Sequence, residues 1–449
     1  MAKPIVTARI LRRLLGSGVY VRAERLLARM HPADLGPLIA DLSADEIRTV
    51  IDLLFRQHRA AQTLMELPPE LLQSVFDAVA DSRLAEMLGR LEIDDRLELV
   101  EQIPEDRRDG VIEMLPAHVR DELRKAELYP ASSAGRVMTT SFIALDEKMT
   151  AQEAIDSIRA ADETDGTILY LYVIDDMNRL RGVVPIRRLV SAPPDSPCGE
   201  LTIDVPASVQ PEADQEEVAR LVARYDLLAI PVTDVDGVML GVITVDDVID
   251  VITAEATEDM YHLAGLSEED RVFTSAGLAI RKRLPWMVLN LGAVFALAAL
   301  IGVFRATIEE FVVLAFFLPV VAGMGGNGGI QTLTVITRGI ALGEIEFSTG
   351  LRAIAKEFWV GTVIGMVTGL LSAGLAYLWH GSPLLGLILF TAMIVTLAVA
   401  SLLGAAVPLA LKALRQDPAL GAGVIVTTLT DAVAFVVFLG TASLLLERI

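Results

Sequence analysis

Hydrophobic and polar positions follow three successive patterns along this 449-residue chain. From residue 20 to 128, apolar residues recur at helical spacing in short stretches. Cap-and-turn signals separate them: His31-Pro32-Ala33-Asp34, Ser43-Ala44-Asp45-Glu46, Pro68-Pro69-Glu70, Ile93-Asp94-Asp95 and Pro104-Glu105-Asp106. Each stretch is too short to bury its apolar stripe alone, which predicts a right-angled, solenoid-like stack of helix pairs. Nothing catalytic stands out in it, so an interaction or regulatory domain is expected. Ahead of the stack, Arg9, Arg12 and Arg13 accompany no apolar run of signal-peptide length and read as an ordinary amphipathic helix.

From Tyr129 the period changes. Two units of about 60 residues each read as an apolar strand, an Asp-containing turn, a second strand and a helix: ILYLYVIDDMNRLRGVVPIRRLV and LLAIPVTDVDGVMLGVITVDDVI. This resembles a pair of CBS domains. Gly241, Thr244 and Asp247 fall where that family places a ribose-binding Gly-x-x-Thr-x-x-Asp, whereas the first unit has Gly182, Pro185 and Arg188. The resemblance implies an adenine nucleotide such as ATP at the CBS pair. Tyr170 and Arg187 are candidates to stack on its base or meet its phosphate, with packing and surface roles as the alternative.

The third pattern is almost wholly apolar. After an expected linking helix at 258–283, five segments near 284–304, 311–337, 358–379, 384–411 and 420–446 are each long enough to cross a bilayer. Arg281, Lys282, Arg283, Arg338, Arg352, Lys356, Lys412 and Arg415 fall on one side, against Arg305 and Arg448 on the other. The positive-inside rule therefore predicts a multi-pass protein of the cell (inner) membrane, with the N-terminus and soluble half cytoplasmic and the C-terminus outside.

Charge sharpens the division. The 283 residues before the spans hold 51 Asp and Glu against 31 Lys and Arg, which argues against a nucleic-acid partner. Cys198 has no second cysteine to pair with, and five scattered His show no metal-ligand spacing for zinc or iron. Between Glu200 and Asp270 stand 18 acids and two bases. Asp246, Asp247, Asp250, Glu255, Glu258 and Asp259 crowd one helical stretch, where bound divalent cations would relieve repulsion between neighbouring turns. A plain solvated face is the alternative.

In the membrane third, Asp431 is a lone carboxylate near the middle of the last span. Such an acid costs about 3 kcal/mol at the bilayer centre, so it commonly faces a water- or ion-filled path. With Thr427 and Thr430 a turn or less away, it suits a hard cation such as Mg²⁺, which takes oxygen ligands. The alternative is a protonated Asp hydrogen-bonded between helices. Five glycines between residues 323 and 329, around Asn327 and ahead of Gln331, either loosen the backbone with both amides facing a cavity or pack helices tightly. Their Gly-x-Gly-x-x-Gly spelling follows no strand and is no dinucleotide fingerprint. Gly361, Gly365 and Gly369 are expected to seat a neighbouring helix. Asp417, before the fifth span, reads equally as a cap and as an ion ligand.

Taken together, the helical acidic domain, the tandem CBS pair, Glu255-Ala-Thr-Glu258-Asp259, the glycine segment before Gln331, and Asp417-Pro418-Ala419 leading to Asp431 resemble the MgtE family of magnesium channels or transporters. The fold class expected is multidomain: an all-α superhelical N domain (1–128), an α/β CBS pair (129–192 and 193–257), a linking plug helix (258–283) and an α-helical five-span membrane domain (284–449). The resemblance implies a homodimer in the lipid bilayer with a central Mg²⁺ pore, closed when magnesium compacts the cytosolic domains. Carried over by position, Asp431 becomes the pore site, lined further by Asn327, Gln331, Thr427 and Thr430. Asp226, Asp247, Asp250, Glu255, Glu258 and Asp259 become sensor ligands, with Asp94 or Asp95 as their N-domain partners. A membrane-anchored nucleotide sensor is the competing class, but an anchor needs neither Asp431 nor the two amides. An enzyme is not expected, since no nucleophile elbow or P-loop is present.

Overall fold

Every one of the five cap-and-turn signals stands at a helix start. His31 accepts the Ala33 N–H to open Pro32–Asp34, and Ser43 forms a reciprocal capping box with Glu46 at Ala44–Arg56. Pro69–Ala78, Ile93–Gln102 and Glu105–Glu113 begin at the other three. The computed structural model describes residues 8–39, 42–67, 69–160, 170–267, 270, 272, 274–345, 347–414 and 416–446. Pro68, Glu268, Glu269, Arg415 and Arg448 lie outside the described residues. Two units result, Met1–Ile252 and Thr253–Ile449.

In the first unit, short helices from Ala8–Gly16 to Ala117–Ala126 share one core that includes Leu54, Leu64, Phe76 and Leu88. Arginines brace the stack by donating to carbonyls left open at the ends of earlier helices. Arg59 reaches Leu27 O at 2.9 Å, Arg107 reaches Phe76 O and Val79 O at 2.6 and 2.9 Å, and buried Arg96 reaches Leu88 O and Leu91 O at 2.9 and 2.6 Å.

The CBS pair follows in the same unit. Strands β1 (Ile143–Asp146), β2 (Leu171–Ile174) and β3 (Leu180–Val184) form one sheet, with β1 parallel to β2 and β2 antiparallel to β3. Strands β4 (Ala229–Thr233) and β5 (Met239–Thr244) form the other, antiparallel. The two Asp-containing turns match: Asp175 accepts the N–H groups of Met177 and Arg179, and Asp234 those of Asp236 and Val238. Leu180 N–H donates to Gly237 O and Met239 N–H to Asn178 O, each at 3.0 Å, so the two units are joined turn to turn. Gly241 is required there, because a Cβ would lie 2.6 Å from Thr139 O.

The second unit holds five helices long and apolar enough to cross a membrane: Ala276–Val303, Val313–Ala341, Phe347–His380, Pro383–Ala413 and Ala422–Leu446. The fourth is the hub, with 61% of its apolar window buried against 0% for the first. Gly361, Gly365 and Gly369 seat the third helix on backbone of the fourth at Leu397, Met393 and Phe390, as the four-residue spacing predicts. The glycine-rich segment does not loosen: Val313–Ala341 is one helix through Pro319 and all five glycines. Its glycines pack instead, Gly325 against Thr396, Gly328 against Leu397, and Gly329 against Val426 and Thr430.

The expected single linking helix at 258–283 is two pieces. One helix runs Val245–Leu263, out of the second CBS unit, and stops at Gly265, which adopts φ +70°. The first span then starts at Ala276, eight residues before the sequence reading placed it, and carries Arg281, Lys282 and Arg283 in its opening turns. Arg283 pairs across the break with Asp270, whose side chain is buried.

Candidate ion sites

Two helix N-termini meet in the first unit. Asp94 and Asp95 occupy the first turn of Ile93–Gln102, and Asp246 and Asp247 that of Val245–Leu263. Thr139 donates to Glu92 at 2.5 Å, tying the N-domain helix to the CBS pair. Asp247 accepts from the hydroxyl and N–H of Thr244, so the carboxylate of the ribose-type motif caps its own helix. Burial first, then the charges of Asp247, Asp95 and Glu92, push Asp94 up to about 8. Burial, then Asp247, Glu98 and Glu92, push Asp95 to about 7. Asp247 rises to about 6, burial and Asp246 outweighing its bonds to Thr244. Asp94 Oδ1 is buried without a hydrogen-bond partner among the described residues. A dry carboxylate oxygen surrounded by further carboxylates fits a divalent cation, which would hold these groups ionised at neutral pH.

A second cluster forms further along the same helix, inside the second unit. His262 Nδ1 lies 2.5 Å from Asp417 Oδ2 and 3.7 Å from Glu258 Oε1. Ligand atoms of the three lie within 4.8 Å of one another. Asp417 is also the cap the sequence suggested, its Oδ1 accepting the Ala419 N–H at 2.8 Å. Burial, then the Asp417 charge, raises Asp259 against the pull of His262 and Arg338. The sequence reading passed over His262; its i, i+4 spacing from Glu258 was the available signal. Asp250, raised by burial and Asp246, and Glu255 lie on the helix between the two clusters. Asp226 is placed differently. It is an exposed left-handed cap, φ 51°, ending Gln215–Tyr225, and joins neither cluster among the described residues.

In the spans, Asp431 is half-buried and faces Gly326, where a Cβ would stand 4.0 Å from Asp431 Oδ1. Among the described residues it makes no hydrogen bond or ion pair. Thr427, one turn before, donates to Gly423 O and Val424 O. Thr430 is placed differently from Thr427: its hydroxyl donates to Thr427 O and its side chain is buried against Gly329, where among the described residues it packs helices. Asn327 and Gln331 are exposed one turn apart on the second span, in line with exposed Thr334 and Arg338.

The nucleotide candidates are spread out. Tyr170 Oη accepts from Leu228 N–H at 3.4 Å and its ring meets the edge of Tyr172. Arg187 instead lines a cavity of about 570 Å³ with Pro185, Arg188, Ser191, Pro193 and Leu201.

Five apolar helices joined to a tandem CBS module and an acidic helical domain define a multi-pass membrane protein. Family models match in the same order: the MgtE intracellular N domain over residues 30–132, the CBS domain over 134–195 and 198–254, and the divalent cation transporter MgtE over 318–441. The magnesium transporter MgtE of Thermus thermophilus is 33% identical over 431 residues, 95% of each chain. That of Bacillus subtilis is 33% identical over 378 residues, 84% of each. The solved soluble part of a magnesium transporter aligns with a TM-score of 0.52 at 27% identity, covering 56% of this chain and 98% of its own. The cytosolic domain of the Mg²⁺ channel MgtE in complex with ATP aligns at 0.51 and 34% identity, covering 54% and 99%. The chain belongs to the MgtE family.

Proposed function

We propose that the chain conducts Mg²⁺ across the membrane past Asp431 and that cytosolic Mg²⁺ closes this path by binding the acidic clusters. The observation that carries the reading is Asp431: a carboxylate within a span, half open and without a hydrogen-bond or ion-pair partner among the described residues, beside a helix face bearing Asn327 and Gln331. Lipid cannot satisfy such a face, so a second copy of the chain and an aqueous path cover it, which makes the protein a homodimer. Magnesium as cargo follows from two relatives at 33% identity named as magnesium transporters.

In the ion-free state the acids at Glu92, Asp94, Asp95, Asp246 and Asp247 repel, and burial with that repulsion draws Asp94, Asp95 and Asp247 toward their protonated forms. Mg²⁺ bridges them and fastens the N domain to the CBS pair, while Glu258, Asp259 and Asp417 do the same at the entry to the fifth span. The soluble half is cytoplasmic. Flux into proteoliposomes against cytosolic-side Mg²⁺ tests the whole reading: expected are uptake that Asp431→Asn abolishes and inhibition that needs more Mg²⁺ after removal of residues 1–128. Full uptake by well-folded Asp431→Asn would end the assignment of the pore site. Nucleotide binding is a second, compatible reading, favoured by the ATP-bound relative and by the Arg187–Arg188 cavity; titration of the full chain with ATP, wild type against Arg187→Ala, tests it.

A further inference from the structure

The ion sites on Val245–Leu263 can influence Asp431 through contacts between the end of that helix and the fifth span, and most rigidly through an element that touches both. Trp286 is such an element. A Cβ on Gly265, just past the helix end, would fall onto its indole nitrogen and Cε2. A Cβ on Gly421, just before the fifth span, would stand 2.7 Å from the far edge of the same ring. Both glycines have positive φ, +70° and +62°, so each turn presents bare backbone to the indole. Around the ring the two turns bond directly: Gly421 N–H donates to His262 O at 3.0 Å, and the Leu263 carbonyl lies against Gly423. Trp286 Nε1 is buried with no hydrogen-bond partner among the described residues, so shape holds the ring in place.

We propose that Trp286 is a positioning residue, a wedge clamped between Gly265 and Gly421 that hands movement of the connecting helix to the span carrying Asp431. The inference rests on the brake described above and adds its mechanical coupling. A rigid ring in contact with both turns cannot stay seated if one turn moves without the other, because close-packed contacts shift between discrete arrangements. Removing the ring leaves the ion sites, the pore acid and the direct Gly421–His262 hydrogen bond in place but takes the rigid wedge out of the link between them.

The test measures Mg²⁺ flux by full-length protein in proteoliposomes at rising cytosolic-side Mg²⁺. Trp286→Ala is expected to keep flux at low Mg²⁺ within about twofold of wild type while raising the half-inhibiting Mg²⁺ about fivefold or more, as the coupling is lost. Trp286→Phe keeps most of the wedge and should hold the shift below about twofold. Gly421→Ala pushes against the ring and should shift the curve in the same direction as Trp286→Ala. A merely structural tryptophan would scale the amount of active protein without moving the midpoint, so a Trp286→Ala curve that overlays wild type overturns the proposal. Limited proteolysis within residues 264–275, without Mg²⁺, separates this failure from failure of the brake. If wild type itself is not inhibited by Mg²⁺, the brake reading falls; faster cleavage in Trp286→Ala than in wild type then upholds the wedge, and equal cleavage overturns it.

Discussion

Asp94 and Asp431 are both carboxylates withdrawn from bulk water, yet their surroundings differ in kind. Asp94 stands among Asp95, Asp247 and Glu92, whose charges add to burial and drive it toward the protonated form. Asp431 has Gly326 and threonines around it and no second acid nearby among the described residues. Crowded acids make a site whose empty state is unfavourable, so an arriving cation changes the energy of a whole interface; that suits a sensor. A lone acid offers enough attraction for an ion to enter and too little to trap it, which suits a path. In the proposed reading, the same residue type serves detection in one region and passage in the other, and the number of neighbours decides which.

The largest effect expected from breaking this contrast is at the lone acid. Asp431→Asn preserves size and hydrogen bonding but removes the charge, and Mg²⁺ flux should fall at least about tenfold. Protection of the soluble half from protease by Mg²⁺ should be unchanged, because the clusters do not include this residue. Loss of both properties together would show that the two regions are one site.

How far the contrast was legible in sequence follows from where the partners lie. Helix starts were readable because a cap and its helix are adjacent, as at Ser43 and Glu46. Asp431 was readable because an acid in an apolar span stands out whatever surrounds it. His262 was missed because its partner Asp417 is 155 residues away in the chain, and the arginine braces such as Arg59 to Leu27 O for the same reason, at 32 residues. The break at Gly265 was overlooked because charged residues continue on both sides of it, so composition shows no boundary there. Thr430 was assigned to the path by proximity in sequence to Asp431, but one residue along a helix turns the side chain about 100°, toward Gly329.

Thinning the crowd is the next largest perturbation. Asp94→Asn removes the most buried charge of the cluster, so the ion-free protein should become more stable and Mg²⁺ should stabilise it less. In thermal melting of the full chain, the Mg²⁺-induced rise should shrink to less than about half of wild type. The half-inhibiting Mg²⁺ should rise severalfold, with flux at low Mg²⁺ unaltered. An undiminished Mg²⁺ effect would leave the cluster without a role in sensing.

Protons test the same crowding without mutation. Asp94, Asp95 and Asp247 are raised to about 8, 7 and 6. A carboxylate whose folded value exceeds its unfolded one stabilises fully below the unfolded value, about 4, and loses that contribution as pH rises through the folded value. Ion-free stability should therefore decline between about pH 4 and pH 8. Mg²⁺ requires the ionised groups, so the stabilisation it confers should grow over the upper part of that window, from about pH 6 to pH 8. Melting at pH 5.5 and 8.5 with and without Mg²⁺ measures both trends, and a Mg²⁺ increment equal at the two pH values would contradict them.

The smallest effect is expected at Asp226, which resemblance assigns to the sensor and geometry assigns to a helix end. A non-glycine residue in the left-handed region costs about 1 kcal/mol, which glycine avoids. As a cap, Asp226 should be replaceable: Asp226→Gly should raise the melting temperature slightly and Asp226→Asn should leave it alone, both with half-inhibiting Mg²⁺ within about twofold of wild type. As a ligand, it should not be replaceable by either, since both variants remove the carboxylate, and both would then need clearly more Mg²⁺ to close. The pair of variants separates the two roles because glycine improves the turn and removes the charge at once, so stability and sensing move in opposite directions only if Asp226 holds an ion in the closed state.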